Sequence, residues 1–442
     1  MNVHDPPTTD RLLGVDEALA AILARIPVLS PETVVLDEAL GRVLAEDVYA
    51  DIDVPPFDNS AMDGYALIAA DTAGASRERP AVLRVVGDLP AGRVPDTVVH
   101  RGEAIRIMTG APMPPGADAI VRVEDTERGE AVQGGEDVVC VRVAASAGRD
   151  VRWAGEDVRA GDLILPRGTL VRPAEVGMLA MLGRRHVQVV RRPRVAVLTT
   201  GDELVDVDEP VTPGKIRNVN LYSIMAQVRW CGGEPLSLGV ARDTIAELEA
   251  KVREGMTADL LVTSAGVSMG DYDVVKVVLD KLGHIDFWRV NMKPARPLAF
   301  GHLGAVPMFG LPGNPAASMV AFEEFVRPAI LKMQGRQALR HPTMQAVADV
   351  ALDNRGGRRS FVRGYVYRDG DAYRVRPAGP AGAGIMTAMV RANCFIVIPE
   401  QTARVEPGDP IGVELLDATA AEEPVAAPPL AASAGAADEC CE

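Results

Sequence analysis

Strand-like and helix-like segments alternate between residues 193 and 330, and no other feature limits the fold of this chain as strongly. The apolar runs typical of buried strands are RVAVLTTG, EPLSLGVARD, DLLVTS, IDFWRVNMKP and VPMFGLPG. Helical periodicity occurs at 220–230, 244–256, 272–282 and 315–334. Strands that alternate with helices at this spacing form a mostly parallel sheet with helices on both faces. The sequence therefore predicts a central α/β domain.

Two flanking regions show β patterns instead. From about 47 to 146, short alternating runs such as AVLRVVGDL and EAIRIMTG are separated by glycine and proline, which is typical of a small all-β domain. After about 340, short strand-like runs return. The predicted fold class is therefore multidomain α/β plus β: a central α/β domain with a mostly parallel sheet, an inserted small β domain, and a C-terminal small β-barrel-like domain.

Helical patterns also occur outside the central region. Residues 11–27 predict one amphipathic helix with Asp16 as its N-cap. The segment SPETVVLDEAL predicts a second, short helix that begins with Ser30 as cap and a proline at the first helical position. A further helix is predicted over residues 174–182.

Charge and hydropathy exclude several classes of protein. Lys and Arg number 46 against 61 Asp and Glu, a net charge of −15, whereas nucleic-acid backbones are bound by clusters of Lys and Arg. No long apolar stretch and no signal-peptide pattern occur, so we expect a cytoplasmic protein without a membrane span. The five cysteines are scattered, which argues against a disulfide framework or a zinc site. Residues 418–442 lack hydrophobic patterning and are expected to be disordered.

The carboxyl ends of the predicted parallel strands carry the most reactive side chains. Ligands of open parallel sheets bind outside these ends. The segments that follow them are TTGDEL with Glu203, ARD with Asp243, TSAGVSMGDYD with Asp271 and Asp273, MKPARP with Lys293 and Arg296, and GLPGNP at 310–315. Small residues and glycines let main-chain N–H groups approach a ligand, and helix N-termini favour anions.

The mixture of charges at these ends predicts a ligand class. Lys293 and Arg296 add positive charge for a phosphate or another oxyanion. Glu203, Asp243 and Asp273 would repel that anion unless a cation lies between them, and Mg²⁺ is commonly held by carboxylates together with ligand phosphate. We therefore expect a phosphorylated, anionic small molecule bound with Mg²⁺. Simpler interpretations stay open: GLPGNP as a rigid turn, one aspartate of GDYD as a helix cap, and the other charges as solvated surface groups.

The segment GVSMG around Ser268 matches the nucleophile elbow of α/β-hydrolases and lies between a predicted strand and a predicted helix, as that motif requires. A serine hydrolase also needs a histidine downstream. His284 begins a predicted strand, His302 lies in a predicted hairpin loop, and His341 lies at a predicted domain junction. None of these positions favours a triad, so hydrolysis by Ser268 is a minor alternative.

Three further loops are dense in polar residues. VPPFDNSAMDGYAL contains Asp58, RIMTGAPMPPGAD contains Thr109, and RWAGED contains Arg152 and Asp157. An ordinary turn with side-chain to main-chain hydrogen bonds explains each loop by itself. These patterns do not show whether the loops lie near the strand ends.

The order of these motifs resembles that of a known family. FDNSAMDGYA, RIMTGAPMPPGAD, GED, TTGDEL, TSAGVSMGDYD, MKPARPLAFG and GLPGNPAA follow one another as in the molybdopterin molybdenumtransferases, the family that includes the E domain of gephyrin. The resemblance extends from about residue 11 to residue 415. Several of the motifs are long and non-repetitive, so chance does not explain their order.

The resemblance implies a function and an assembly. Members insert molybdenum from molybdate into adenylylated molybdopterin in a divalent-metal-dependent step that releases AMP. The resemblance also implies a homodimer of four-domain subunits, in which β-domain loops of one subunit complete the pterin site of the other. A molybdopterin adenylyltransferase is the implied protein partner. A non-catalytic, pterin-binding scaffold dimer is the main alternative, as the receptor-clustering role of gephyrin suggests.

Matched motif by motif, the resemblance also implies residue roles. The implied catalytic residues are Glu203, Asp243, Asp273 and Lys293, and the three acids of this set are the implied Mg²⁺ ligands. The implied substrate-binding residues are Asp58, Thr109, Arg152, Asp157, Ser264, Gly266, Ser268, Arg289, Arg296, Pro312 and Pro315.

Domain bounds follow from the patterns and the resemblance together. The expected domains are an α/β molybdopterin-binding domain at 11–27 and 187–330, a linking domain at 28–46 and 147–186, a β domain at 47–146, and a C-terminal β domain at 331–417. The sequence also departs from the family pattern. Arg296 stands where lysine is usual, Ala265 and Ala295 stand where glycine is usual, and Ala383 replaces a serine that many members carry near the proposed molybdate site.

Overall fold

The computed structural model describes residues 12–129, 137–242, 244–265, 278 and 281–416. The chain divides into two compact units. The first unit contains the chain up to residue 34, residues 41–43, and the chain from residue 188 onward; the second contains residues 35–40 and 44–187.

The described residues form seven α-helices and 28 strands. The helices are α1 Val15–Arg25, α2 Pro173–Met181, α3 Val219–Trp230, α4 Ile245–Gly255, α5 Pro315–Ala321, α6 Arg327–Met333 and α7 Met386–Arg391. A π-helical turn, Phe322–Val326, joins α5 to α6, and 3₁₀ turns lie at Leu36–Glu38, Ala69–Thr72 and Val123–Asp125.

The strands are β1 Pro31–Val35, β2 Val48–Tyr49, β3 Asn59–Ser60, β4 Gly64–Leu67, β5 Ala81–Leu89, β6 Glu103–Ile107, β7 Ala119–Arg122, β8 Thr126–Arg128, β9 Val138–Val141, β10 Val151–Arg152, β11 Leu163–Leu165, β12 His186–Val190, β13 Arg194–Thr200, β14 Leu204–Val205, β15 Ile216–Arg217, β16 Glu234–Ala241, β17 Leu260–Ser264, β18 His284–Arg289, β19 Met292–Lys293, β20 Pro297–Leu303, β21 Val306–Leu311, β22 Thr343–Ala348, β23 Leu352–Asp353, β24 Arg359–Asp369, β25 Ala372–Pro377, β26 Cys394–Ile398, β27 Arg404–Val405 and β28 Pro410–Leu415.

A six-stranded sheet forms the centre of the first unit, in the order β16-β13-β17-β21-β20-β18. The pairings β13–β16, β13–β17 and β17–β21 are parallel, whereas β20 runs antiparallel to both β21 and β18. Five of the six strands therefore run in one direction, and β20 alone runs back. The sequence analysis did not predict β20 as a strand, and it placed His302, which lies in β20, in a loop.

Both faces of this sheet are buried, which explains the continuous apolar runs of the sequence. Along β13, Val195 and Val197 belong to a core shared with helices α1, α3, α5 and α6. Ala196 and Leu198 belong to a second core, which contains Leu248 of α4. Successive side chains of a strand point to opposite faces, so β13 supports helices on both sides of the sheet.

The C-terminal part of the first unit is a closed five-stranded barrel. Strands β24, β25, β22, β28 and β26 pair in that order, and the additional pairing of β26 with β24 closes the ring. The predicted barrel-like C-terminal domain is thereby confirmed. The short strand β19 pairs in parallel with β24, with Met292 opposite Arg359 and Lys293 opposite Ser360. Main-chain hydrogen bonds therefore join the barrel to the loop that follows β18.

The second unit is built on an open, half-barrel sheet with the order β7-β4-β6-β5-β9-β8. Buried aliphatic side chains pack on its two faces: Leu67 and Val121 lie in one core, and Ile105 and Ile120 lie in the other. This sheet agrees with the predicted inserted β domain. Two short antiparallel pairs, β3–β10 and β2–β11, join the chain before this sheet to the chain after it. Helix α2 follows β11 in the sequence.

Two predictions near the N-terminus are wrong. SPETVVLDEAL does not begin a helix: β1 is a strand, and a single 3₁₀ turn follows. Its three consecutive β-branched residues, Thr33 to Val35, favour strand over helix. Helix α1 is capped by Gly14, not by Asp16. Asp16 instead lies in the first turn and forms ion pairs with Arg340 at 2.6 Å and Arg359 at 2.8 Å.

Some predictions fall on residues outside the described part of the chain. These are the tail at 418–442 and most of the helix predicted at 272–282. The exact domain bounds stay a prediction as well. Among the described residues, no helix is long and apolar enough to cross a membrane.

The π-helical turn carries a half-buried acid, Glu324. Its Oε1 atom is buried and has no hydrogen-bond partner within the described part of the chain. Burial raises the pKa of Glu324 well above its usual value, because desolvation disfavours the charged form. The neighbouring carboxyl groups of Glu414 and Glu323 raise this pKa further, while Arg340 lowers it. The folded chain therefore favours a protonated Glu324.

We expect Glu324→Gln to stabilise the protein at neutral and alkaline pH. Because the pKa of Glu324 is raised on folding, its contribution to stability is fully present below the ordinary glutamate pKa and is lost as the pH rises through the raised value. Each unit of the shift corresponds to about 1.4 kcal/mol. The measurement is the free energy of unfolding from denaturant titrations at several pH values. The exposed Glu38 provides the control Glu38→Gln, and parallel pH curves for wild type and Glu324→Gln would contradict the prediction.

Candidate functional site

The common direction of five strands brings their following segments to one side of the first unit, which we call the carboxyl end of the sheet. Strands β13, β17, β18 and β21 deliver the described candidate residues there: Glu203, Ser264, Arg289, Lys293, Arg296, Pro312 and Pro315. Asp243, Gly266, Ser268, Asp271 and Asp273 lie outside the described residues. The described candidate residues therefore follow strands of one sheet at the same end, where β13 and β18, which precede Glu203 and Lys293, are four positions apart.

Glu203 reaches this end through a sharp turn after β13. Gly201, the residue after the strand, has φ of +140°, a conformation that L side chains rarely adopt. A Cβ atom at Gly201 would lie 2.4 Å from Oε2 of Glu203. The Glu203 side chain thus folds back over a glycine, and Glu203 itself is exposed to solvent. The turn presents a carboxylate at the carboxyl end of the sheet.

The loops after β17 and β21 contact each other directly. The buried Ser264 donates its hydroxyl hydrogen bond to the carbonyl of Pro312 at 3.1 Å, and the N–H of Ala265 donates to the carbonyl of Leu311 at 3.1 Å. Ala265 has φ of +74°, in the left-handed region that favours glycine. This conformation explains why glycine is usual here in the family pattern, and the alanine of this chain adopts it at a cost of about 1–3 kcal/mol.

Three basic residues surround the loop between β18 and β20. Arg289 ends β18 and is half-buried, while Lys293 and Arg296 are exposed. The N–H of Val290 donates to the carbonyl of Arg296 at 3.0 Å, which closes the loop. Ala295 within it has φ of +69°, so the second glycine-to-alanine departure also occupies a left-handed position. The result is a compact turn with positive charge at the carboxyl end of the sheet.

A further basic residue, Arg363 of β24, was missed by the sequence analysis. It is only 6% exposed, and its Nη2 donates to the carbonyl of Gly382 at 2.8 Å. Its Nε atom is buried without a hydrogen-bond partner in the described part of the chain, and burial lowers its pKa. Buried arginines are normally paired with an acid, and among the described residues Arg363 forms no ion pair. A buried guanidinium of this kind is suited to bind an anion.

The loop held by Arg363 also contacts the start of α5. The carbonyl of Ala383 accepts a hydrogen bond from the N–H of Ala317 at 3.0 Å, in the first turn after Pro315. The neighbouring Ser318 is fully buried, and its hydroxyl has no partner within the described ranges. This contact could not be predicted from the sequence, since Arg363 looks like one of several arginines in an alternating strand pattern.

In the second unit, the three polar loops meet. Oδ1 of the half-buried Asp58 accepts a hydrogen bond from the N–H of Ala154 at 2.8 Å, and its carbonyl accepts one from the N–H of Met113 at 2.9 Å. Arg152 pairs with Asn59 across β10 and β3. The loops containing Asp58, Thr109 and Arg152 therefore form one cluster, which the sequence alone did not show.

Thr109 and Asp157 are fixed in the same cluster. The N–H and the hydroxyl of Thr109 both donate to Oδ1 of Asp63, at 2.7 and 2.8 Å. These hydrogen bonds lower the pKa of Asp63. The N–H of Asp157 donates to the carbonyl of Val54 at 3.0 Å. Arg152, Asp157 and Thr109 are exposed, so the cluster presents polar side chains on a fixed main chain.

The histidines do not support a serine hydrolase. His284 begins β18 and lies opposite His302 of β20, level with the second residue of β21. Both rings are thus at the amino end of the sheet, about 17 Å from its carboxyl end at about 3.3 Å per residue. His341 contacts Glu323 at 2.9 Å. Among the described residues, no histidine of the central sheet lies at its carboxyl end, and Ser268 is outside the described part of the chain.

We expect Asp58→Ala to loosen the cluster of the second unit without unfolding it. The change removes the acceptor for the N–H of Ala154, a hydrogen bond worth about 1 kcal/mol. Hydrogen–deuterium exchange should therefore rise in the peptide that covers 153–157. The matched control is Asp88→Ala, an exposed acid of the same unit whose contact with Arg106 is 4.0 Å. Equal exchange in wild type and Asp58→Ala would show that Asp58 does not hold this loop.

Family models match most of the described chain. Residues 13–183 match the MoeA N-terminal region (domain I and II), residues 196–332 match a probable molybdopterin binding domain, and residues 345–416 match the MoeA C-terminal region (domain IV). A solved molybdopterin biosynthesis moeA protein from Pyrococcus horikoshii is 30% identical, with a TM-score of 0.78 over 92% of this chain and 100% of that one.

Curated relatives are similar over almost their whole length. The molybdopterin molybdenumtransferase of Haemophilus influenzae is 36% identical and that of Bacillus subtilis 36%, with 98% and 94% of those proteins covered by 91% of this chain. Molybdopterin molybdenumtransferase 2 of Mycobacterium tuberculosis is 38% identical over 90% of this chain and 98% of its own length. The chain therefore belongs to the molybdopterin molybdenumtransferase family, which consists of enzymes of molybdenum cofactor biosynthesis.

Proposed function

We propose that this protein inserts molybdenum from molybdate into adenylylated molybdopterin, with release of AMP in a Mg²⁺-dependent step. The observation that carries the proposal is the convergence of an exposed acid, Glu203, and the basic turn with Lys293 and Arg296 at one end of one sheet. Such an end binds a negatively charged ligand together with a cation. The printed name of the relatives, molybdopterin molybdenumtransferase, supports a molybdopterin compound as the proposed ligand.

Positive groups at this end receive the negative charges of the substrates. Lys293 and Arg296 are exposed and suited to the phosphate groups of the adenylylated pterin. Arg363 is buried and lacks an acid partner among the described residues, so it is suited to the molybdate oxyanion. In this arrangement the two anionic substrates bind to separate cations, and their mutual repulsion is offset by the protein.

The acids are proposed to bind Mg²⁺. Carboxylate oxygens are the ligands that this ion prefers, and the exposed Glu203 fits that requirement. Asp243 and Asp273, the other two proposed ligands, lie outside the described residues, and no group of three or more metal-binding side chains occurs within the described ones. When bound, Mg²⁺ would neutralise charge on the phosphates of the adenylate. The turn at Gly201 holds the Glu203 carboxylate ready for this role.

The polar cluster of the second unit is proposed to act in a homodimer. Asp58, Thr109, Arg152 and Asp157 would complete the pterin cleft of a second copy of the chain. Their common cluster supports the proposal, since one rigid surface can then supply all four side chains. A molybdopterin adenylyltransferase that hands over the adenylylated pterin is the proposed protein partner, and the cytoplasm is the proposed location.

Glu203→Gln should slow AMP release much more than it weakens substrate binding. The amide keeps the shape of the side chain but removes the charge that holds Mg²⁺, and losing one charge-stabilising group costs about 100-fold in rate. The measurement is AMP released from adenylylated molybdopterin with molybdate and Mg²⁺. Glu209→Gln, an exposed glutamate nearby in the sequence, is the control. Asp273→Asn is expected to behave like Glu203→Gln.

Two outcomes would count against the proposal. A wild-type protein that binds the adenylylated pterin but releases no AMP, while a relative does so under the same conditions, would favour the non-catalytic scaffold. Normal turnover in Glu203→Gln would show that Glu203 has no catalytic role, while the roles proposed for the other residues would still stand.

Ala383→Ser should lower the molybdate concentration needed for half-maximal AMP release. Ala383 lies in the loop that Arg363 holds, and serine would add a hydroxyl donor there. One such hydrogen bond is worth about 1 kcal/mol, or about fivefold in affinity. The control is Ala381→Ser, an exposed position of the same loop. An unchanged molybdate dependence in Ala383→Ser would place the oxyanion away from this loop.

A further inference from the structure

The first residues of α3 join the ends of four strands through two buried asparagines. Asn218 is 1% exposed and Asn220 is 8% exposed. Neither residue was singled out from the sequence, where they belong to the short segment RNVNLYS. Buried amides are retained only where their hydrogen bonds are largely satisfied, so the partners of these two side chains show what they hold in place.

Asn218 fixes the start of α3 to β13 and β16. Its Oδ1 accepts a hydrogen bond from the N–H of Leu221 at 3.2 Å, which caps the helix. Its Nδ2 donates to the hydroxyl of Thr199 at 2.8 Å, and that hydroxyl donates to the carbonyl of Gly239 at 3.2 Å. Thr199 lies four residues before Glu203. The strand end that delivers Glu203 is therefore tied to the helix.

Asn220 joins the loops after β17 and β21. Its Nδ2 donates to the hydroxyl of Ser264 and to the carbonyl of Gly313, each at 2.7 Å. Since the Ser264 hydroxyl already donates to the carbonyl of Pro312, it can only accept from Asn220. Both partners therefore require the NH₂ group, and this fixes the orientation of the amide. One side chain thus holds two loops of the candidate site at a set separation.

The carbonyl side of the same amide is unpaired. Oδ1 of Asn220 is buried and has no hydrogen-bond partner in the part of the chain that the structure describes. An unpaired buried acceptor is unfavourable, and such groups need an explanation in a folded protein. Asn220 tolerates it because its two donor contacts, to Ser264 and Gly313, leave no other orientation. The free-energy cost of the unpaired Oδ1 therefore falls at Asn220, between Ser264 and Gly313.

We infer that Asn220 is a positioning residue, which sets the distance between the carboxyl end of β17 and the loop after β21 and thereby the shape of the substrate site. This inference rests on the proposed function, because it assigns Asn220 to the same site. Asn220 is buried behind the loops and acts through Ser264 and Gly313. Together with Asn218, it connects the end of β13, the end of β17 and the GLPGNP turn to one helix.

The test compares Asn220→Asp with Asn393→Asp. Aspartate keeps the size of the side chain but places a carboxylate oxygen against two acceptors in the first variant. Asn393 is a matched control in the barrel, 5% exposed, with Nδ2 donating to the carbonyl of Val366 at 2.8 Å. Both variants should lower Tm. Only Asn220→Asp should increase hydrogen–deuterium exchange in the peptides that cover 260–265 and 308–314, measured without any ligand.

Turnover then separates a positioning role from a general loss of stability. We expect kcat/KM for AMP release to fall at least about tenfold in Asn220→Asp, since small misplacements of binding groups cost one to two orders of magnitude in rate. Asn393→Asp should stay near wild type at temperatures where both variants are folded. If Asn220→Asp does not fold, Asn220→Ala carries the same test, because it removes the donor without adding a charge.

The outcomes distinguish this inference from the proposed function. Unchanged exchange in both loop peptides overturns the role of Asn220, whatever the activity. Increased exchange with wild-type kcat/KM also overturns it, because the loop separation would then not matter to the reaction. A wild-type protein that releases no AMP overturns the proposed function, and with it the catalytic part of the inference, even if the exchange result is as expected.

Discussion

The parallel pairing of β13, β17 and β21 determines where the candidate site of the first unit lies. β13 pairs in parallel with β17, and β17 pairs in parallel with β21. Parallel neighbours need long crossover connections, which the helices on the two faces of the sheet provide. Every loop that follows one of these strands then opens on the same side. The apolar side chains buried on both faces hold the strands together, so the polar loops need not contribute to the core.

Charge is distributed unevenly at this end of the sheet. The chain as a whole is acidic, yet the turn after β18 carries exposed cations at the end of the sheet where Glu203 also lies, and Arg363 is a buried cation of the barrel. The turns at this end have unusual main-chain geometry: Gly201, Ala265 and Ala295 all have positive φ. Backbone strain of this kind is characteristic of functional sites.

Periodicity and strand-end chemistry predicted much of this architecture from the sequence. The strands β13, β16, β17 and β21 were predicted because buried parallel strands are continuously apolar. Strand β20 was missed because its proline, glycine and histidine resemble a loop, and β1 was mistaken for a helix because a Ser-Pro-Glu start outweighed three β-branched residues. Both errors concern short segments whose secondary structure depends on pairing with another strand. Hydrophobic periodicity does not predict such pairing.

Contacts between residues far apart in sequence are the part of the candidate site that could not be predicted from the sequence. The sequence indicated Asp58, Thr109 and Arg152 as polar loop residues, but only the folded second unit shows that they form one cluster. Arg363, Asn218 and Asn220 could not be singled out from the sequence, because their roles depend on burial and on partners as far as 93 residues away in sequence. The residues next to these positions in the sequence do not indicate such long-range contacts.

The pairing of β19 with β24 has a mechanical consequence. Lys293 is part of β19, and its main chain is hydrogen-bonded to a strand of the barrel. The barrel cannot rotate or shift against the central sheet without pulling on the segment that bears this lysine. The same barrel strand carries Arg363. A displacement of β24 would therefore change the positions of both Lys293 and Arg363.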